Sequence, residues 1–374
     1  MNIPLLKPSP ARLSGLVAEL AAIEASGQFS NFGPVNARFE QEMVARLFGG
    51  NGACLTVSNA TAGLMLAIRN AIGENAQGRR YALMPSFTFA ATAQAALWNG
   101  LTPLFCDIDP QTWAPSAQAE EEILERYGAA VAVVVPYATF GNSVDLAHYE
   151  RLSRRHNVPV VVDAAASLGS QDAGGNGFGT GFGQPVVFSM HTTKAFATLE
   201  GGLVYCADAA VIARLRAMAN FGFDEPRIAS LPGLNAKMSE VGALLGLAKL
   251  DQLDAVIDCR EAAAARYRAN LNEYDFQHLT GRRTAHMFMP LLLPESRAGR
   301  RHEIVRALGE RGIGAGSYFS PHLAEHPYFA RNCAKGDLSV TEDVARRILV
   351  LPLSDTIALE EVDEVCRALM AVSA

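Results

Sequence analysis

The stretch VAVVVPYATFGNSVDLAHYERLSRRHNVPVVVD, residues 131–163, contains the pattern that decides the fold. Two β-branched runs, Val131–Val135 and Val158–Val162, flank an amphipathic segment at Asp145–His156. Short apolar runs of this kind are typical of buried strands, and the periodicity between them is typical of a helix. A strand, a helix and a second strand at this spacing predict a βαβ unit in a parallel sheet.

The same alternation extends from about residue 54 to residue 206. The other predicted strands are Cys54–Val57, Tyr81–Met84, Thr102–Cys106, Val186–Ser189 and Leu203–Cys206. The other predicted helices are Thr61–Ile72, Thr88–Trp98 and Ser116–Tyr127. The sequence therefore predicts an α/β fold in which a mostly parallel central sheet is sandwiched by helices.

The C-terminal third has a different pattern. Met238–Leu271 is a long helical stretch rich in alanine and leucine, which predicts either two helices or one bent helix. After it come one strand-like segment and three helical ones, His286–Leu293, Arg300–Arg311, Val340–Ile348 and Glu360–Met370. We therefore predict a large domain over residues 1–240 and a smaller α+β domain over residues 241–374.

Composition and charge exclude several classes of protein. The 374 residues include 32 Lys+Arg and 38 Asp+Glu, a net charge of −6, whereas binding to a nucleic-acid backbone needs a clustered positive excess. The longest apolar stretches are far shorter than the roughly 18 residues that a membrane-spanning helix needs. The N-terminus lacks the pattern of an export signal. The six cysteines are scattered without a CxxC pair, so we expect a cytoplasmic protein with neither disulfides nor a metal site.

One glycine-rich segment, GGNGFGTGFG at Gly174–Gly183, invites comparison with phosphate-binding loops. The pattern GxGxxG fails because Phe182 stands where the last glycine would follow Gly177, and no lysine follows the glycines as in a P-loop. The segment also precedes a strand rather than a helix. We interpret it as a surface connection, and its failure to match argues against a nicotinamide-dependent oxidoreductase.

Three strand ends carry residues with useful chemistry. Asp163 ends one predicted strand, Lys194 follows Val186–Ser189, and Ser58–Thr61 joins a strand to a helix. Ligands of such sheets bind at the carboxyl ends of the strands. Pyridoxal phosphate (PLP) needs a Schiff-base lysine, a carboxylate that keeps its ring nitrogen protonated, and backbone N–H groups for its phosphate. Taken singly, the lysine is equally compatible with a solvated surface charge, and the aspartate with a turn residue.

Seven motifs along nearly the whole chain carry a family resemblance. They are Phe32-Gly33-Pro34 with Phe39-Glu40, Ser58–Leu64 (SNATAGL), Pro85–Thr92 (PSFTFAAT), Pro103–Asp109 (PLFCDID), Phe188–Lys194 (FSMHTTK) with Glu200-Gly201-Gly202, Asn235–Glu240 (NAKMSE) and Leu351-Pro352-Leu353. Together they resemble the DegT/DnrJ/EryC1/StrS family of fold-type I, PLP-dependent nucleotide-sugar aminotransferases, and FSMHTTK with EGG is the strongest match.

The resemblance implies roles for individual residues. Lys194 is the implied Schiff-base lysine and Asp163 the implied partner of the ring nitrogen. Phe89 stands where the family stacks an aromatic side chain on the cofactor, although an apolar helix could also place it in the core. The implied phosphate ligands are Ala60, Thr61 with the neighbouring N–H of Ala62, and Ser189.

Three further residues have implied contacts outside this set. Asn235 matches a residue that in the family reaches the phosphate of the neighbouring subunit, which implies a homodimer with shared active sites. His191 and His322 stand where substrate contacts are expected. Both histidines are equally compatible with structural hydrogen bonds.

Two positions depart from the family pattern. Ala166 replaces a Gln or His that touches the ring hydroxyl, and its methyl group cannot donate that hydrogen bond, so a neighbouring group or water must replace it. Asn59-Ala60 replaces Ser-Gly in the phosphate loop, so the backbone must approach the phosphate with a Cβ present.

The implied reaction transfers an amino group from L-glutamate to a nucleotide-linked keto-sugar, a dTDP-, UDP- or GDP-4-keto-6-deoxyhexose. Amination at C3 remains open. A family branch that dehydrates sugars has histidine in place of the lysine, and Lys194 argues against it. A regulator that binds PLP without catalysis would need a DNA-reading element, and the sequence has none that we recognise.

Overall fold

A computed structural model describes residues 2–73, 78–225 and 227–373 of the chain. The helices are α1 Val17–Ser26, α2 Pro34–Leu47, α3 Ala60–Ile72, α4 Ala90–Trp98, α5 Ala117–Tyr127, α6 Leu146–His156, α7 Ala209–Ala219, α8 Glu240–Leu250, α9 Leu253–Asn270, α10 Arg301–Glu310, α11 Pro327–Asn332, α12 Ser339–Arg347 and α13 Leu359–Ser373. The strands are β1 Ala53–Val57, β2 Tyr81–Pro85, β3 Thr102–Cys106, β4 Val131–Val134, β5 Val162–Asp163, β6 Val186–Ser189, β7 Gly202–Cys206, β8 Phe223–Glu225, β9 Ile228–Ala229, β10 Asp275–Phe276, β11 Met289–Leu292, β12 Ala334–Lys335 and β13 Ile348–Leu351.

The central sheet has the order β1-β7-β6-β5-β4-β2-β3-β12. Two four-stranded sheets form its halves, β1-β7-β6-β5 and β12-β3-β2-β4. Parallel bridges from Val134 to Val160 and from Tyr137 to Asp163 join the halves. Strand β7 runs antiparallel to both of its neighbours, and the other pairs are parallel. The predicted α/β class with a mostly parallel sheet is confirmed.

The helices begin where short polar side chains cap them. The side chains of Asn59, Ser116, Asp145, Asp208 and Ser239 each accept a hydrogen bond from a first-turn N–H, of α3, α5, α6, α7 and α8 respectively. Such caps satisfy donors that an isolated helix leaves unpaired. Each cap lies in the turn just before its helix, so the sequence itself sets where these helices start.

Two hydrophobic cores cover the two faces of the central sheet, and a third lies beneath the small sheet β10-β11-β13. Several contacts cross the predicted boundary between residues 240 and 241, which itself stays a prediction. Helix α8 packs on α2, and β12 pairs with β3 of the central sheet. In the opposite direction, Ile3 belongs to the core of the small sheet.

Some predicted boundaries need correction. The predicted strand Val158–Val162 is reduced to Val162–Asp163, because Pro159 has no N–H and Val160 donates its own to the side chain of Gln184 at 2.6 Å. The stretch Met238–Leu271 forms two helices, α8 and α9. Within the described part of the chain, no helix is both long enough and apolar enough to cross a membrane.

Candidate active site

A cavity of about 350 Å³ opens at the carboxyl ends of β5 and β6 and at the start of α3. This is the edge of the sheet at which ligands of α/β proteins bind. The predicted site residues that line it are Lys194, Asp163, Ala60, Thr61, Phe89, Ser189 and His191. Residues more than 130 positions apart in sequence therefore meet in one place.

Lys194 enters the cavity from the turn that follows β6. Its Nζ lies 3.3 Å from Sδ of Met287. Burial lowers the pKa of Lys194 to about 8, and the nearby negative charge of Asp163 opposes that shift. The lysine therefore has about a tenth of its amine in the neutral, nucleophilic form at pH 7, where an ordinary lysine has almost none.

Asp163 is 2% exposed at the end of β5. Thr92 Oγ1 donates a hydrogen bond to Oδ2 at 2.6 Å, and the N–H of Ala165 donates to Oδ1 at 3.1 Å. Burial raises the pKa of Asp163, while these two hydrogen bonds and Lys194 act in the opposite direction. Within the described ranges, no basic side chain forms an ion pair with this carboxylate, so it can still face a cationic group in the cavity.

The start of α3 offers donors for an anion. Asn59 Oδ1 accepts from the N–H of Ala62 at 2.9 Å, so the Ala62 N–H that we expected at the phosphate is already engaged. The N–H groups of Ala60 and Thr61 lie in the first turn, where helix geometry provides no intrahelical acceptor. They and the Thr61 hydroxyl can bind phosphate, which helix N-termini favour.

Gly202 allows this helix start to lie against β7. A Cβ atom there would be 2.7 Å from the backbone N of Ala60 and 2.7 Å from the carbonyl carbon of Asn59. Since real Cβ contacts are not that short, only glycine fits. Beside it, Ser189 is 7% exposed and its Oγ accepts the N–H of His191 at 3.2 Å, which leaves its own proton for a ligand.

These residues fit PLP. The buried carboxylate of Asp163 can pair with a cationic group in the cavity, and the lowered pKa of Lys194 makes its amine more nucleophilic. The first turn of α3 lines the same cavity. Phe89 is the N-cap residue of α4 rather than a helical core residue; it lines the cavity and is 60% exposed. Exposure of a large aromatic ring beside a polar site suits stacking on a planar cofactor.

Two predicted residues lie outside the cavity. His322 is 1% exposed, its Nδ1 is 2.8 Å from Ser86 Oγ, and it does not line the cavity, so its substrate contact stays a prediction and its interior contact is with Ser86. Asn235 is exposed, and its Oδ1 accepts from Lys237 Nζ at 2.7 Å. By contrast, His191 lines the cavity. Its Nδ1 is 2.8 Å from Thr193 Oγ1, and its Nε2 is 3.5 Å from Glu200 Oε1.

Sequence reasoning missed several residues that line the cavity or support its side chains. Thr92 lies in the quoted PSFTFAAT motif, three positions after Phe89, yet received no role. Tyr137 lies three positions after the end of β4, close to the edge of the sheet at which the strand-end rule expects ligands. The remaining wall had no sequence signal that we recognised, and consists of Leu6, Met287, Phe288, Tyr318 and Phe319 among others.

Comparison with known proteins places this site in context. The model of the DegT/DnrJ/EryC1/StrS aminotransferase family matches residues 14–370. A solved structure from Bacillus cereus, assigned as a PLP-dependent aminotransferase, is 37% identical with a TM-score of 0.93, covering 99% of this chain and 100% of that one.

Two relatives carry the names of sugar-modifying enzymes. A UDP-N-acetyl-3-dehydro-alpha-D-glucosamine 3-aminotransferase from Acidithiobacillus ferrooxidans is 30% identical, over 82% of this chain and 80% of its own. A dTDP-4-amino-4,6-dideoxy-D-glucose transaminase from Shigella dysenteriae is 26% identical, over 93% and 92%.

Proposed function

The chain belongs to the DegT/DnrJ/EryC1/StrS aminotransferase family, whose members use PLP, and on that premise we propose that it transfers the amino group of L-glutamate to a nucleotide-linked keto-deoxy-sugar. The observation that carries the proposal is the meeting of Lys194, Asp163 and the start of α3 in one cavity. The amino donor is the one that the family resemblance implies. The product is an amino sugar, and polysaccharide assembly is its proposed use.

The protein's residues have separate tasks around the cofactor. When bound, PLP carries the amino group between the two substrates and delocalises negative charge into its protonated ring. Asp163 holds the proton on the ring nitrogen. Lys194 binds the cofactor covalently in the resting enzyme, and its amine, with a pKa of about 8, both removes and returns protons near neutral pH.

The cavity walls support a sugar as the acceptor. Phe288, Tyr318 and Phe319 form an aromatic wall beside Lys194, with Phe288 and Tyr318 stacked at 5.3 Å between ring centroids. Aromatic faces pack against the C–H faces of sugars, and a deoxy position adds apolar surface. A volume of about 350 Å³ accommodates the cofactor ring and a sugar, so we place the nucleotide outside, above the rim.

Amination at C4 is our first proposal and amination at C3 the second. The Shigella dysenteriae relative is named for a 4-amino sugar, whereas the Acidithiobacillus ferrooxidans relative is named for a 3-dehydro sugar. A panel of nucleotide-linked 4-keto and 3-keto sugars with ¹⁵N-glutamate separates them by product mass. Incorporation of ¹⁵N into a 4-keto substrate supports the first proposal. No incorporation into any sugar overturns both, provided that Lys194→Ala protein gives the same background.

We also propose a homodimer in which Asn235 of one subunit completes the phosphate site of the other. The exposed position of Asn235, outside its own cavity, supports this, as do the exposed Phe221 and Leu234 on the same segment, 47% and 36% exposed. A neutral amide adds donors to a phosphate without burying another charge.

Subunit mixing tests the shared site. Lys194→Ala and Asn235→Asp homodimers should both be inactive, whereas a mixed dimer has one site with both defects and one with neither. Random exchange at equal amounts should recover at most about a quarter of wild-type activity, because half of the dimers then carry one intact site. Zero recovery after exchange, demonstrated by a tagged pull-down of folded proteins, contradicts the proposal.

The state of the cysteines is the basis on which we propose a cellular compartment. All six are free, and four of them are buried. Free thiols are typical of a reducing environment, so we place the enzyme in the cytoplasm.

A further inference from the structure

Tyr137 brings a phenol to the side of the sheet that carries Asp163. The two residues form a parallel bridge that joins the segment after β4 to the end of β5, and bridged residues point their side chains to the same face. Both line the cavity, and Tyr137 is 3% exposed. A buried hydroxyl therefore lies beside the carboxylate to which we assign the ring nitrogen of the cofactor.

This hydroxyl is a hydrogen-bond donor at every working pH. Burial and the adjacent Asp163 raise the pKa of Tyr137 well above the usual range of a phenol, so the phenol keeps its proton. The backbone N–H of Phe140 acts in the opposite direction and lowers the pKa by a smaller amount. A phenol that keeps its proton can donate one hydrogen bond to an acceptor in the cavity.

Aromatic packing fixes the position of the phenol. Phe319 lies edge-on to Tyr137 with 6.0 Å between ring centroids, and it stacks on Phe140 at 5.4 Å. Phe140 holds a φ of 59°, a left-handed conformation that a bulky residue rarely adopts. The rings of Phe87 and Phe288 also contact Phe140, at 5.9 and 5.5 Å. A donor held this firmly is suited to one fixed acceptor.

The three residues that follow Asp163 have no side chain that can donate a hydrogen bond. The next three side chains, of Ala164, Ala165 and Ala166, end in methyl groups. On PLP the carbon that bears the hydroxyl is two ring atoms from the nitrogen. If Asp163 faces the nitrogen, a residue beside Asp163 is therefore close to the hydroxyl. An anionic ring oxygen in a dry site needs a donor, since an unpaired buried charge is costly.

We propose that Tyr137 donates a hydrogen bond to the ring hydroxyl oxygen of PLP, in place of a side chain at position 166. This positioning role rests on the proposed assignment of Asp163 to the ring nitrogen. In this role Tyr137 interacts with the ring hydroxyl and with no other functional group of the cofactor. A tyrosine that only packs in the core would not distinguish ligands with and without that hydroxyl.

A binding cycle tests this specificity. Wild-type apoprotein and Tyr137→Phe are each titrated with PLP and with 3-deoxypyridoxal phosphate, which lacks the ring hydroxyl, and the dissociation constants are measured by equilibrium dialysis. We expect Tyr137→Phe to bind PLP about tenfold more weakly than the wild type, as for loss of a hydrogen bond to a charged group, and to bind the analogue equally well. Any intrinsic effect of the ring hydroxyl on reaction with Lys194 is common to both proteins and cancels in the ratio.

Tyr318→Phe is the matched control, because Tyr318 is the other phenol of the cavity but stacks on Phe288. It should keep the full wild-type preference for PLP over the analogue. Equal weakening of both ligands by Tyr137→Phe overturns the proposal in favour of a packing role, and loss of the preference in Tyr318→Phe overturns it in favour of that phenol. If the wild type binds neither ligand, the assignment of the PLP site itself fails, which is a separate result. Circular dichroism of both apoproteins verifies that the variants fold.

Discussion

Replacing Thr92 by valine removes one hydrogen bond from the Asp163 carboxylate while nearly preserving the shape of the side chain. Thr92 and Asp163 are both buried, and Thr92 Oγ1 donates a hydrogen bond to Asp163 Oδ2 at 2.6 Å. A hydrogen bond to a charged group contributes about 1.5–3 kcal/mol. At 1.36 kcal/mol per pKa unit, its loss should raise the pKa of Asp163 by about one to two units, beyond the rise that burial already causes.

A carboxylate with a higher pKa competes more strongly for the proton of the ring nitrogen, so less of the bound PLP has a protonated ring. We therefore expect Thr92→Val to lower kcat at saturating PLP by roughly 10- to 100-fold, measured as ¹⁵N transfer from glutamate. Two controls separate this effect from packing. Thr92→Ser keeps the hydroxyl and should stay within a few-fold of wild type. Thr88→Val removes the 3.0 Å contact between Thr88 Oγ1 and Thr92 Oγ1 but leaves the bond to Asp163, and should have a small effect. Wild-type kcat in folded Thr92→Val protein would refute the reasoning.

Four further predictions concern the same site. Lys194→Ala should abolish amino transfer while the circular dichroism spectrum stays native, and measurable turnover would contradict its role. Asp163→Asn should still bind PLP but lose most activity, because a neutral amide does not favour the protonated ring; near wild-type rates would reduce Asp163 to a turn residue. Gly202→Ala should weaken PLP binding by about tenfold or more by displacing the start of α3, whereas Gly183→Ala, with no atom within 4 Å of its Cβ, should not; equal affinities would show that the close approach is unimportant. The rate at which apoprotein captures PLP should rise about tenfold per pH unit below pH 8 and level off above it, because only the neutral amine of Lys194 reacts; a flat profile, or an inflection near 10.5, would contradict a lowered pKa.

The elements and two of the central residues could be predicted because local patterns determine them. Apolar runs and amphipathic spacing located the strands and helices of the central sheet, and the strand-end rule pointed to Asp163 and Lys194. Boundaries were less accurate where single residues change the hydrogen bonding, as Pro159 and Val160 do just before β5. The antiparallel direction of β7 was not predicted, since alternation alone does not give strand direction.

Contacts between distant segments could not be read from the sequence. Thr92 supports Asp163 across 71 positions, and the N-terminal Leu6 reaches the cavity wall. His322 is a second case, because the sequence left open a substrate contact or a structural hydrogen bond, and only the packing of the chain buries it against Ser86. Burial, unlike periodicity, depends on what the rest of the chain places above a residue.

The central claim is that Lys194 and the residues around it make this chain an aminotransferase for nucleotide-linked keto-sugars. The most direct test is the visible absorption spectrum of the PLP-loaded protein through one full cycle. Adding L-glutamate should remove the visible band, and adding a nucleotide-linked 4-keto-6-deoxy-sugar to the glutamate-treated, desalted protein should restore it. A band that glutamate leaves unchanged, or that no nucleotide-linked 3-keto or 4-keto sugar restores, would contradict the account.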